Sequence, residues 1–178
     1  VLSGFENLLR EDKREALGQY CIDWLIPSFE KIGVDLYALS LQNEPDFGAS
    51  YGGLLYNNVG YNEMFKVVAP MIKQKYPNLK LFGAEACNTN HWDKYDLIIK
   101  DSLSRQHLDA YAFHAYRSPK DFSTARTIYN RYGGLLKTAP NVNLWQTEVG
   151  GYAVEWPVNS IGREGYNGGI LHFHQEMH

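Results

Sequence analysis

The chain has 178 residues, 44% hydrophobic, 21% charged and 14% aromatic, enough apolar material for a packed core, which excludes a disordered tail, a coiled coil and a collagen-like fibre. Its 17 Lys and Arg nearly balance 20 Asp and Glu, for a net charge of −3, and that balance argues against nucleic acid as a partner. The apolar runs are far shorter than the ~20 residues that cross a bilayer, and Val1–Arg10 has neither the basic start nor the apolar block of a signal peptide.

The period of the apolar residues alternates along the chain. Leu17, Tyr20, Cys21, Trp24, Leu25 and Ile32 mark one face of a helix from about Asp12 to Lys31. Pro27 predicts a kink or an early stop within it, and Gly33 ends it. Val34 to Leu41 is an extended, mostly apolar run, as in a strand buried on both faces. Tyr61, Met64, Phe65, Val68 and Ile72 form the next helical stripe, ending before Pro77, and Leu79–Ala84 the next strand. Tyr95, Ile98, Ile99 and Leu103 predict a third helix, and Asp109–Tyr116 a third strand. Ala125, Ile128, Tyr129, Tyr132 and Leu136 predict a fourth helix, Val142–Val149 a fourth strand, and Tyr166, Ile170, Phe173 and Met177 a fifth helix. The two cysteines, Cys21 and Cys87, fit no metal spacing and read as buried lone thiols.

Strands alternating with helices imply an α/β fold with a parallel sheet and right-handed crossovers. Two architectures fit: an open doubly wound sheet, or part of a (β/α)8 TIM barrel, which needs about 250 residues and eight strands. In both, the functional site lies at the carboxyl ends of the strands. Those ends carry Gln42-Asn43-Glu44-Pro45, Ala84-Glu85, His114-Ala115-Tyr116 and Thr147-Glu148. Ionisable groups so placed converge on one surface, where two carboxylates across a gap can do acid/base and nucleophilic work on an acetal.

Leu39-Ser40-Leu41-Gln42-Asn43-Glu44-Pro45 resembles the Asn-Glu-Pro motif that closes strand 4 in clan A glycoside hydrolases, and Leu144-Trp145-Gln146-Thr147-Glu148-Val149 resembles their strand 7 motif. The interval between the two motifs holds strands 5 and 6 with their helices. Glycoside hydrolase family 30 is the most similar. The resemblance implies that residues 1–178 are a single incomplete (β/α)8 barrel catalytic domain, with strands 1–3, strand 8 and a β-sandwich lacking counterparts here. It implies a retaining β-glycosidase that is secreted or extracellular, acts on a β-linked glycan and needs no cofactor or metal. Glu44 would be the general acid/base and Glu148 the nucleophile. Asn43 would bond the sugar 2-hydroxyl, and His114 and Tyr116, sharing one face of their strand, would position the nucleophile and sugar hydroxyls. Trp92, Tyr152 and Trp156 lie just past strand ends, where aromatic faces stack on sugars. Glu85 would tune the charge of the site, bind a hydroxyl or serve as a structural carboxylate.

Other readings remain open on the residues. A non-catalytic glycan-binding or scaffold piece of such a barrel would keep both carboxylates. His174 and His178 are spaced as a ligand pair on one helix face, but Glu176 is misplaced for His-Glu-x-x-His, and a polar helix face is the better reading. Gly165-Tyr166-Asn167-Gly168-Gly169 lacks the spacing of a dinucleotide loop.

Overall fold

The computed structural model describes residues 9–48, 53–87, 94–117, 133–134 and 137–151, and only the backbone of 115–117 and 149–151. A helical stretch opens the described chain: a 3-10 turn (Glu11–Lys13), α1 (Arg14–Tyr20), a π segment (Cys21–Leu25) and α2 (Ile26–Lys31). Then follow β1 (Ala38–Ser40), α3 (Asn58–Lys75), β2 (Lys80–Ala86), the short α4 (Leu97–Lys100) and α5 (Ser102–Arg105), β3 (Ala110–Arg117) and β4 (Asn143–Gly151). The strands form one sheet in the order β1-β2-β3-β4, every pair parallel. The predicted alternation is therefore the observed one, and the carboxyl ends of all four strands lie along one rim.

The sheet curls. Tyr37, just before β1, stacks on Trp145 of β4 at 6.3 Å between ring centroids, and Phe82 of β2 lies 5.3 Å from the same indole. The first and last strands are not neighbours in the ladder, so their aromatic rings meet only because the sheet bends its concave face inward. On the opposite face α3 supplies the core. Asn57 caps it, its side chain accepting from the Gly60 amide at 2.7 Å. Tyr61, Met64, Phe65, Val68 and Ile72, the predicted stripe, are fully buried. The amino ends of the strands are tied by Asp109, which accepts from Lys73 Nζ (2.6 Å), Lys80 Nζ (3.1 Å) and the Leu81 amide (2.9 Å).

Four expectations are corrected. Of the two outcomes expected at Pro27 the early stop does not occur: the backbone shifts to π bonding immediately before it, with the Ile26 amide donating to the Cys21 carbonyl, and the helix runs on to Lys31. On that helix Cys21, Ile22 and Ile26 are buried, whereas Tyr20, Trp24 and Ile32 of the predicted face are exposed. The strand expected at Val34–Leu41 pairs over three residues only and is half-buried, because β1 has a ladder partner on one side alone among the described residues. The third helix is broken at Asp101, whose extended backbone and side-chain bond to the Leu103 amide (2.9 Å) end α4 and start α5, leaving Leu103 exposed. The two last predicted helices fall largely or wholly outside the described residues, as do the His174/His178 pair and the Gly165–Gly169 run.

Gly83 sets how closely α3 approaches β2. A Cβ on Gly83 would stand 2.2 Å from the Tyr61 hydroxyl, which is buried and has no hydrogen-bond partner among the described residues. Gly83→Ala is expected to destabilise the protein by about 1–3 kcal/mol, the usual scale of overpacking, and Tyr61→Phe in the same chain to recover much of that loss. Urea unfolding midpoints check this; a Gly83→Ala midpoint equal to that of the unmutated protein contradicts it.

Candidate active site

Three carboxylates surround one buried imidazole at the carboxyl rim. His114, on β3, has no exposed side-chain surface; its Nδ1 is 2.9 Å from Glu44 Oε1 and 3.7 Å from Glu148 Oε2, and its Nε2 is 3.8 Å from Glu85 Oε1. Glu85, His114 and Glu148 come from β2, β3 and β4, and Glu44 from the loop that follows β1. The β3–β4 ladder pairs His114 with Glu148 directly, after a register shift between Phe113 and His114. In parallel strands such partners project from the same face, so the two side chains share the concave side. The shift matters: without it Thr147 would stand opposite His114. A second irregularity, between Ala84 and Ala86, falls at Glu85. Bulges of this kind re-aim a side chain at a sheet rim.

Glu44 and Glu85 hold backbone conformations that side-chain-bearing residues rarely adopt, with φ of 47° and 56°. The surrounding bonds impose them. After Glu44 the chain turns at once, the Phe47 amide donating to the Glu44 carbonyl (3.0 Å) and the Tyr56 amide to the Pro45 carbonyl (2.9 Å). Asp46 Oδ1 accepts from the Cys87 amide (2.8 Å), which ties the loop after β1 to the end of β2. The two carboxylates that flank the ring are thereby fixed by one shared clasp.

The charges can be ordered by exposure: the side chain of Glu85 is 7% exposed, that of Glu44 12%, and that of Glu148 42%. Burial pushes the pKa of His114 down, but its contacts with Glu85 and Glu44 and the charge of Glu148 outweigh burial and leave it raised above the ordinary histidine value. The 2.9 Å contact with Glu44 demands a proton between nitrogen and oxygen, and Nδ1–H donating to a carboxylate supplies it. Cys87 sits beside Glu44. Burial, with Glu44, Asp46 and Glu148 nearby, pushes its thiol up to about 12, so it stays protonated. One donor atom each from Glu44, His114 and Glu148 lie within 4.8 Å of one another.

The structure brings together Glu44, His114 and Glu148 of the predicted site. Asn43 is exposed beside them; its carbonyl accepts from Gln42 Nε2 at 2.6 Å. Tyr116 lies on β3 opposite Gly150, with its backbone alone described. Trp92, Tyr152 and Trp156 lie outside the described residues. Cys87 was read as a buried structural thiol; it is half-buried instead and borders the acid cluster. Its position two residues past the strand-end Glu85 was the signal available for that. Among the described residues no helix is long and apolar enough to cross a membrane.

No family model matches the sequence, and no curated protein is significantly similar to it. Several solved structures share its fold. A glycoside hydrolase family 30 subfamily 8 xylanase from Clostridium acetobutylicum superposes with a TM-score of 0.54 at 16% identity, over 78% of this chain and 41% of its own. An endo-β-1,6-glucanase gives 0.62 at 21% identity, over 79% of this chain and 30% of its own. A conserved exported protein from Bacteroides fragilis gives 0.63 at 20% identity, over 77% of this chain and 32% of its own. The chain thus spans less than half the length of the structures it matches. Its four parallel strands with their helices have the fold of part of a glycoside hydrolase (β/α)8 barrel.

A raised histidine pKa links stability to pH. The bonds to the imidazolium stabilise the fold fully below the unfolded-state value of about 6.5, and that contribution is lost as pH rises through the folded value. The melting temperature of the unmutated protein should therefore exceed that of His114→Gln most in mildly acidic buffer, with the difference shrinking as pH rises. A difference that stays constant, or grows with pH, contradicts a protonated His114.

Proposed function

We propose that this chain carries the catalytic pair of a retaining β-glycosidase of the family 30 type, with Glu44 as general acid/base and Glu148 as nucleophile. The observation that supports it best is the meeting of Glu44 and Glu148 at one buried imidazole on the rim of a parallel sheet, with a carboxylate oxygen of each within 4.8 Å of the other and of a ring nitrogen. Exposure favours the same division of labour. Glu148, the most open of the three carboxylates, can reach an anomeric carbon, while Glu44, bonded to His114, is held to exchange a proton.

In the first step Glu44, protonated on the oxygen that does not face His114, protonates the glycosidic oxygen as a Glu148 oxygen attacks the anomeric carbon. The C–O bond to the leaving group breaks and a glycosyl ester forms. In the second step Glu44 takes a proton from water, which attacks the same carbon and releases Glu148. Asn43, exposed next to Glu44, would donate to the sugar 2-hydroxyl, and Tyr116, Trp92, Tyr152 and Trp156 would line the sugar-binding cleft. In this reading residues 1–178 form one incomplete barrel catalytic domain. The remaining barrel strands, and a β-sandwich of the kind found in family 30, lie outside it. The substrate is a β-linked glycan and the protein is exported.

In the protein that carries this chain, Glu44→Ala and Glu148→Ala are each expected to lower kcat on aryl β-glycosides by about 10²–10⁴-fold or more. Azide should rescue both with opposite stereochemistry. Glu148→Ala should give the α-glycosyl azide by a single displacement, and Glu44→Ala the β-azide by attack on the glycosyl-enzyme. The same anomer from both variants, or near-normal rates in either, refutes the assignment. Glycan binding with no turnover in the unmutated protein would favour a scaffold instead.

A further inference from the structure

Glu85 belongs to neither half of the displacement chemistry, yet it is the most buried of the three carboxylates. Among the described residues, no Lys or Arg lies within 4 Å of it, and its cationic neighbour is His114. Its backbone is held at a φ of 56° beside a register break, so the chain departs from regular strand geometry where this carboxylate meets the ring. A structural carboxylate with no cationic partner but a catalytic-site histidine calls for an account. Resting on the reading of Glu44 as acid/base, we propose that Glu85 is a positioning residue: it holds a proton on His114 Nε2, and the ring, so fixed, commits Nδ1–H to Glu44.

A neutral imidazole that donates from Nδ1 carries a lone pair on Nε2, and that lone pair would point at the buried carboxylate of Glu85. Two electron-rich atoms facing each other in a buried site repel, whereas a proton between them turns the contact into an attraction. At 3.8 Å the contact is an ion pair rather than a short hydrogen bond, so Glu85 acts by charge. The charged and titratable groups described around the ring are compatible with this. Glu44 from the end of β1 and Glu148 from β4 both face Nδ1. Cys87 lies against Glu44 with Asp46 beyond it, and both Tyr61 of α3 and Tyr111 of β3 stand on the Glu85 side. None of these is a cation that could replace His114 as partner to Glu85. Burial alone would drive the ring neutral, and the carboxylates reverse that.

The pair is therefore a dipole, with its positive end at Glu44 and Glu148 and its negative end on the far side of the ring. Glu85→Gln replaces it by two neutral groups of the same shape. The ring should then lose the partner that favours its protonation at Nε2, and the readout is the protonation state of the ring itself. A carboxylate with a merely structural role would change stability and leave the ring's protonation in place.

The direct test is 15N NMR of the His114 ring in the intact protein. Both nitrogens should be protonated above the ordinary histidine range of about 6.5. Glu85→Gln should lower the titration midpoint, and Glu85→Asp, which keeps the charge but shortens its reach, should fall between the two. An unmutated ring that titrates at or below the ordinary value overturns the proposal, and so does a Glu85→Gln midpoint that does not move. The first of these needs no variant and is immune to misfolding. The ring titration does not depend on turnover. If aryl β-glycosides are not cleaved, the glycosidase reading falls, while the NMR result still decides the pairing of Glu85 with His114.

Discussion

An imidazole without solvent contact, enclosed by carboxylates from two strands and a loop, is costly to assemble. Each buried ion forgoes several kcal/mol of hydration, and carboxylates brought together repel one another. The arrangement holds because His114 supplies a positive charge that all three can share, through Nδ1 to Glu44 and Glu148 and through Nε2 to Glu85. Everything else at the rim serves this contact. The parallel ladder sets the strand ends level, the register shift before His114 brings Glu148 opposite the ring, and the Asp46–Cys87 bond ties the Glu44 turn to the end of β2. Remove the imidazolium and the same geometry becomes a set of like charges.

The cost also appears in the backbone. Left-handed conformations at Glu44 and Glu85 each disfavour the folded state by roughly 1–3 kcal/mol for residues with side chains. A glycine at either place would relax the chain and delete the carboxylate. The stability that offsets these sites comes from the other side of the sheet, where Tyr61, Phe65, Val68 and Ile72 of α3 pack with Leu81 of β2 and Tyr111 of β3. The molecule is thus divided in function by its sheet: an apolar convex side that stabilises, and a charged carboxyl rim that is maintained at its expense.

Much of this was legible in the residues. The α3 stripe, the strands from Leu79 and Asp109, and Gly33 as a helix end, now with a φ of 79°, follow from periodicity and turn chemistry that act over a few residues. The placing of Glu44, Glu85, His114 and Glu148 at strand ends follows from the same alternation. What escaped the pattern depends on distant partners or on single bonds. Tyr20, Trp24 and Ile32 are apolar at helical spacing, but burial depends on what packs against them, and among the described residues that is Met71 and its neighbours near Gly18 instead. The break at Asp101 rests on one side-chain cap that competes with a helical amide. The register shifts that put Glu148 opposite His114, and Glu85 behind it, leave no mark in hydrophobic spacing at all. Hence the sequence pointed to which carboxylates meet, and the ladder irregularities decide how.

The central claim is that Glu148 is positioned to form a covalent bond to a sugar while Glu44, bonded to His114, handles the proton. The most direct measurement is mass spectrometry of the protein after exposure to 2,4-dinitrophenyl 2-deoxy-2-fluoro-β-glucoside and the corresponding xyloside, whose fluorine slows breakdown of a glycosyl ester. The account predicts a mass increase of a single fluorosugar, located on the peptide containing Glu148 and abolished in Glu148→Gln. A fluorosugar esterified to Glu44 or Glu85 instead, or products released with inverted anomeric configuration, would contradict it.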